Sequence, residues 1–273
     1  MKISCIIPTC DRPDFLPKTI KSILDQSFKA FEILIINNGK EDSLSLPEGL
    51  AEEVTVHRII PYAGVAQARN FGAYLAQGDF LAFLDDDDTW NPDYLMNVSA
   101  AIEQGAQCIL SRIDKLENGQ VLPWKNPENM ITVKNMLTYN PGAGGSNLVI
   151  KRELFFKVRG FNPKLPPSED KALVLEVLRS GQEVKVLPAN QIIARIHDVG
   201  RLTDNKNIIE GIYQFTRKYS FLMNKEEYLT NWYKIYDYQY RAGGKNSLIP
   251  FVFLYLIRMF ILIKRKFKSN KNI

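Results

Sequence analysis

Three short stretches, Lys2 to Pro8, Phe31 to Ile36 and Phe80 to Leu84, are dense in apolar residues with almost no polar alternation. A strand with one wet face alternates polar and apolar side chains, so runs without alternation read as strands covered on both faces. Segments of helical spacing lie between them. Residues 14–27 carry Phe15, Leu16, Ile20, Ile23 and Leu24, and Val65 to Ala76 forms a second such pattern. A weaker strand over Val54 to Ile60, a helix over Pro92 to Glu103 with proline in its first turn, and a strand over Ala106 to Ile113 continue the series. This β-α-β-α order predicts an α/β fold: a mostly parallel sheet flanked by helices. Ligands of such sheets sit beyond the carboxyl ends of the strands, so the informative residues are those just after each strand.

Beyond residue 115 the pattern loosens. Residues 116–147 are rich in Asn, Gly and Pro and read as irregular. A short strand over Asn147 to Ile150 precedes a helix from Arg152. A helix over 168–180 opens on Ser168, Glu169 and Asp170 and ends at Gly181. Val184 to Leu187 and Gln191 to Ile196 read as strands, and residues 205–241 as a Tyr-rich helical stretch.

The formal net charge of +5 conceals an uneven distribution. Every acidic residue lies at or before Asp237, so residues 1–240 sum to −3 and residues 241–273 to +8. That is an acidic body with a basic tail, which points away from nucleic acid as a partner. Three cysteines without CxxC spacing (Cys5, Cys10 and Cys108) argue against a disulfide framework or a structural zinc site and for a reducing cytoplasm.

The run Asp85-Asp86-Asp87-Asp88 follows the most apolar strand. It reads either as a solvated loop or as a site for a divalent cation, whose charge would relieve the mutual repulsion; hard carboxylate oxygens select Mg²⁺ or Mn²⁺. Asn37-Asn38 ends the second strand and either makes a turn or reads a nucleobase edge. Thr9 and Arg12 follow the first strand. Arg69 reads as a surface salt-bridge partner or as a phosphate or base contact. Glu169-Asp170 serves the helix dipole or supplies a general base. Of the two histidines, His57 lies within a weak strand, while His197 follows one and could ligate a metal.

Taken in order over residues 2–200, these pieces resemble the family 2 glycosyltransferases of GT-A fold. The resemblance rests on Ile6-Ile7-Pro8-Thr9 with Arg12, Ser22 to Gln26, Ala68-Arg69-Asn70-Phe71-Gly72, Phe83-Leu84-Asp85-Asp86-Asp87-Asp88 with Trp90 and Pro92, and Gly160-Phe161 before Glu169-Asp170. It implies inverting transfer of sugar from a nucleoside diphosphate, a UDP-sugar first, to an acceptor hydroxyl. By the same resemblance Asp170, with Glu169, is the catalytic base. Pro8, Thr9, Arg12, Asn38, Arg69, Asp85 and Asp86 line the nucleotide pocket. Asp87, on the DxD motif with Asp85, and His197 hold Mn²⁺ or Mg²⁺. Trp90 and Gly145 stand on the acceptor side. Many members carry Asp where Asn37 and Asn38 stand here, which leaves thymine or guanine open as the base. The implied organisation is a catalytic domain over 1–203, with a nucleotide half to 115 and an acceptor half from 116, then a helical extension over 204–247 and a tail over 248–273.

The tail is apolar from 248 to 263, interrupted by Arg258, and then basic from Lys264 to Lys268. A charge near the middle disfavours a membrane span. The preferred reading is an interfacial helix on anionic lipid at the cytoplasmic face, suited to a lipid-linked or glycan acceptor; a buried helix or dimer contact is the alternative. Two rival functions remain open. A nucleotidyltransferase would carry a glycine-rich loop after the first strand, where Pro8 to Pro13 has no Gly. A non-catalytic sugar-nucleotide module would have no use for Asp170.

Overall fold

A computed structural model describes residues 1–41, 44–125, 130–195, 205–243, 252, 253, 255–257 and 259. The strands are β1 (Ile3–Thr9), β2 (Glu32–Asn37), β3 (Thr55–Arg58), β4 (Phe80–Phe83), β5 (Thr89–Trp90), β6 (Cys108–Glu117), β7 (Gln120–Lys125), β8 (Leu148–Lys151) and β9 (Lys185–Arg195). The helices are α1 (Leu16–Leu24), α2 (Val65–Leu75), α3 (Tyr94–Glu103), α4 (Val133–Thr138), α5 (Arg152–Lys157), α6 (Glu169–Arg179), α7 (Asn205–Tyr219) and α8 (Lys225–Gly243).

The strands form a sheet in the order β3-β2-β1-β4-β8-β6-β9-β5, with β7 paired to β6. The pairs among β3, β2, β1 and β4 are parallel, in keeping with the unalternating apolar runs of β1, β2 and β4. β8 then enters antiparallel to both β4 and β6, so the sheet is mixed beyond its first four strands. The region read as irregular, 116–147, instead contains the end of β6, its hairpin partner β7 and the short helix α4. The two strands expected over 184–196 are one continuous β9, and the helical stretch over 205–241 is two helices.

Each strand's alternate side chains feed different layers. Ile3, Cys5, Ile7, Ile33 and Ile35 pack with Leu16, Ile20 and Ile23 of α1 and with Tyr94, Leu95 and Val98 of α3. Ile6 and Ile36 face the other way, against α2. There Gly72 allows the approach, because a Cβ at that position would lie 2.5 Å from Ile6 Cγ2 and 3.1 Å from Ile36 Cγ1. Phe83 points to the same side as Ile6 and meets Phe161 edge-on at 5.0 Å and Phe155 at 5.7 Å. Cys5 and Cys108 are buried, and burial pushes both thiols up, Cys108 to about 12, so they act as small apolar groups.

The chain divides into two units. The first holds residues 1–133, 140–163 and 169–198, and so the whole sheet and its flanking helices. The second holds 134–139, 164–168 and 199–273. In the second unit, Asn231 Nδ2 donates to Leu137 O at 2.8 Å and the Lys234 ammonium donates to Thr138 O, satisfying carbonyls at the end of α4. Burial lowers Lys234 to about 8. Tyr228, Trp232 and Tyr236 form a row along α8, and Phe253 stacks on Tyr236 at 5.0 Å. Among the described residues no helix is long and apolar enough to cross a membrane.

Candidate active site

The acidic run begins two residues past β4, at its carboxyl end, where a parallel sheet offers a crevice. Its four carboxylates alternate in direction. Asp86 has a side chain only 4% exposed and Asp88 is also buried, whereas Asp85 and Asp87 are 33% and 14% exposed. Alternation keeps neighbouring charges apart and gives the two kinds different work.

The inward pair fixes the loop. Asp86 accepts a hydrogen bond from Thr9 Oγ1 at 2.7 Å and lies 3.3 Å from Arg12 Nη1. Asp88 accepts from Ser146 Oγ and from the Arg195 backbone N–H. Thr19 Oγ1 lies 2.9 Å from Asp86 O and 2.8 Å from Asp88 O, tying α1 to the loop backbone. Burial raises both carboxyls. Asp86 reaches about 6, opposed by Arg12 and by the Thr9 hydrogen bond, and Asp88 rises well above the usual range.

The outward pair meets two arginines. Asp87 Oδ2 lies 2.6 Å from Arg12 Nη1. Asp85 Oδ1 lies 2.6 Å from Arg69 Nη2, whose other terminal nitrogen lies 3.1 Å from Asp170 Oδ1 and 3.3 Å from Glu169 Oε1. Arg69 is therefore no surface residue: its side chain is 3% exposed and packs over the Phe161 ring at 5.2 Å. Burial opposes its charge, but Asp85, Asp170 and Glu169 outweigh burial and raise its pKa further. Glu169 is as buried as Arg69, and its Oε2 has no hydrogen-bond partner. Burial, then the charge of Asp170, pushes Glu169 up to about 7.

Arg69, Asp85, Glu169 and Asp170 thus form one ion-pair cluster, while Thr9, Arg12, Asp86 and Asp87 form its neighbour on the same loop. Pro8 lies within the buried strand β1. Gly145 lines the first cluster through its backbone, and a Cβ there would run into the Arg69 guanidinium. Trp90, expected on the acceptor side, packs into the core instead: its Nε1–H donates to Ser146 O at 3.0 Å and its ring meets Tyr94 at 4.5 Å. Asn37 makes the turn, its Oδ1 accepting from Gly39 N and its Nδ2 donating to Glu41 O. Asn38 is buried at the end of β2 with its Oδ1 unpartnered. His197 lies outside the described residues.

Among the described residues no three His, Cys, Asp or Glu side chains already converge as a metal cage. Asp85 and Asp87 nonetheless present hard carboxylate oxygens toward solvent, the donor chemistry that suits Mg²⁺ or Mn²⁺. Sequence reading missed Ser146, which accepts from Asp85 N at 3.2 Å and donates to Asp88, bracing the acidic run from both ends. It also missed Thr19. The only signal for Ser146 was its place just before β8.

Residues 4–159 match a family model described as glycosyl transferase family 2. An uncharacterized glycosyltransferase of Haemophilus influenzae is 28% identical over 182 residues, covering 65% of this chain; the chain spans 62% of that relative's length. The amylovoran biosynthesis glycosyltransferase AmsB of Erwinia amylovora is 24% identical over 291 residues, covering all of this chain and 93% of the relative. S. aureus TarS 1-349, solved with UDP-GlcNAc, superposes with a TM-score of 0.69 at 17% identity, over 94% of this chain and 79% of that one. GalNAc-T7, solved with UDP, GalNAc and Mn²⁺, does so at 0.63 and 20% identity, over 79% and 47%. These likenesses agree with the mixed, mostly parallel sheet.

Proposed function

The chain belongs to glycosyl transferase family 2, and on that premise we propose that it moves a sugar from a nucleoside diphosphate to an acceptor hydroxyl with inversion, using Asp170 as the base. The observation that carries this reading is the Arg69 cluster, which gathers a carboxylate at the end of β4 and the first two residues of α6 around one guanidinium. Asp170 is the more exposed of the two α6 carboxylates, at 17% of its side chain against 4% for Glu169. A base must reach the proton it takes. Glu169, buried and on Arg69, is read as a positioning residue.

In the proposed step the acceptor oxygen forms a bond to the anomeric carbon as the bond to the diphosphate oxygen breaks. The acceptor proton passes to Asp170, and a single displacement inverts the centre. No second carboxylate nucleophile is needed. Thr9 and Arg12 hold the acidic loop in shape, Asp85 takes the ribose hydroxyls, and Asn38 meets the base. Asp87, with His197, would hold Mn²⁺ or Mg²⁺, which when bound supplies positive charge for the departing diphosphate. UDP is the first choice of nucleotide, in keeping with the donor in the TarS complex.

The acceptor is proposed to be a cell-surface glycan or its lipid-linked precursor, in line with the name of the Erwinia relative. Docking of residues 248–273 on anionic lipid would bring the enzyme to such an acceptor. Val252, Phe253, Tyr255, Leu256 and Met259 are exposed, and the sequence after residue 240 carries eight Lys or Arg and no Asp or Glu.

The test is nucleotide release across UDP-, GDP- and dTDP-sugars, with and without Asp170→Asn. The wild type should release nucleotide from one donor class. The variant should lose transfer by at least a hundredfold yet still bind that nucleotide. Retention of more than about a tenth of the activity would remove Asp170 as the base.

A further inference from the structure

We infer that Arg69 is a positioning residue that couples the donor side of the site to the base, so that occupancy at Asp85 is felt at Asp170. This inference rests on the donor and base assignments proposed above. It does not concern a nucleotide contact by Arg69.

The argument starts from how the guanidinium is shared. Asp85 holds Nη2 at 2.6 Å, and Asp170 and Glu169 divide Nη1 at 3.1 and 3.3 Å. Asp85 follows β4, whereas Glu169 and Asp170 begin α6, more than eighty residues later. The fork is planar and rigid, so its two ends move together. It is also buried, backed by Gly145 and bounded on one face by the Phe161 ring, so it can shift only among its carboxylate partners. A solvated arginine losing one partner turns to water. A buried one has no such exchange, and leaving its charge uncompensated is costly. Any ligand that draws on Asp85 must therefore redistribute the guanidinium toward the α6 carboxylates.

The sign follows. Asp85 is the most exposed of the three partners, with a third of its side chain open to solvent, and so the one a donor ligand reaches most readily. A ribose hydroxyl that donates to Asp85 competes with Nη2 for the carboxylate. The guanidinium then leans on Asp170, which holds that carboxylate's rotamer before the acceptor arrives. Coupling of this kind is reciprocal: what Asp85 does to Asp170, Asp170 does to Asp85. Removing the charge of Asp170 leaves Arg69 to grip Asp85 harder, and nucleotide binding should weaken. An independent base would leave it unchanged.

Glu169 is the third partner, with one oxygen on Arg69 and the other buried without a partner. Its carboxyl gives Nη1 somewhere to rest whichever way the fork leans. That gives the pair at the head of α6 two jobs, Asp170 to react and Glu169 to steady the arginine.

The experiment is a double-mutant cycle read by calorimetric titration of UDP, with no turnover required. Asp170→Asn should weaken UDP about three- to tenfold in the wild-type background. In an Arg69→Met background the same substitution should change affinity less than twofold. Arg69→Lys, which keeps the charge and loses the fork, should behave as Arg69→Met does and serves as the second background if that variant folds poorly. Equal effects of Asp170→Asn in all backgrounds would overturn the coupling. So would an Asp170→Asn variant that binds UDP as the wild type does. If the wild type binds none of UDP, GDP and dTDP, it is the donor reading that fails.

Discussion

Gly145→Ala tests the Arg69 cluster with one methyl group. The added Cβ would lie 2.5 Å from Arg69 Cζ and 2.8 Å from Asp85 Oδ1, against an ordinary contact of about 3.5–4 Å. Elsewhere the end of a long arginine would swing aside at little cost. Here it is held by three carboxylates and buried. Either the backbone around residue 145 moves, at about 1–3 kcal/mol for overpacking, or the guanidinium leaves Asp85, for which a fully broken buried pair costs about 3–5 kcal/mol. A mixed response gives a loss of about 2–4 kcal/mol. Urea unfolding of the two proteins measures it, with an unchanged slope confirming that the same surface unfolds. The Arg69→Met background isolates the cause, since the methionine side chain stops short of the guanidinium position, and the cost of Gly145→Ala should there fall below about 1 kcal/mol. A loss under about 0.5 kcal/mol in the wild-type background, or an equal loss in both, would refute the reasoning.

Glu169 makes stability depend on pH. Its folded carboxyl, pushed to about 7 from an ordinary 4.5, keeps a proton that the unfolded chain gives up in between. Stability is therefore greatest below that window and falls as pH rises through it, by up to about 3 kcal/mol from this group. The Glu169→Gln variant should show a flatter pH dependence of urea stability from pH 4.5 to 7, and a curve parallel to the wild type would count against it. Asp87→Ala should reduce the Mn²⁺-dependent part of UDP affinity at least tenfold in calorimetry; an unchanged dependence would remove Asp87 from the cation site. A chain ending at residue 247 should fail to sediment with vesicles rich in anionic lipid while keeping nucleotide binding, and continued sedimentation would show that the anchor lies elsewhere.

Much of the sheet was legible because its central parallel strands β1, β2 and β4 are apolar on both faces, a pattern that survives without knowledge of partners. Phe80 to Phe83 could hardly be anything else. The hairpin of β6 and β7 was not legible, because β7 (QVLPWK) carries a proline and exposed side chains and has a partner on one edge only. The acidic run was visible as a cluster, but its alternation was not, since it depends on Thr9, Arg12 and Ser146 arriving from other segments. Arg69 could be read only as a surface salt bridge or a phosphate or base contact, because its carboxylate partners lie 16, 100 and 101 positions away. Trp90 was placed on the acceptor side by resemblance alone, and nothing local in the sequence showed that its indole N–H meets the Ser146 carbonyl in the core.

The antiparallel entry of β8, and the return of β9 to pair with β5, set an order of events during synthesis. Asp88 sits at position 88, yet it waits for the Ser146 hydroxyl and then for the Arg195 amide, 107 residues later. At about 5–20 residues per second, a ribosome takes about 5–20 s to deliver that amide. Through that interval β1 to β4 have everything they need to pair, but the loop at their edge lacks the donors that turn Asp88 inward. The acidic loop is therefore among the last parts of the first unit to take shape, and a nascent chain halted before residue 195 carries β1 to β4 without the full set of donors that holds Asp88.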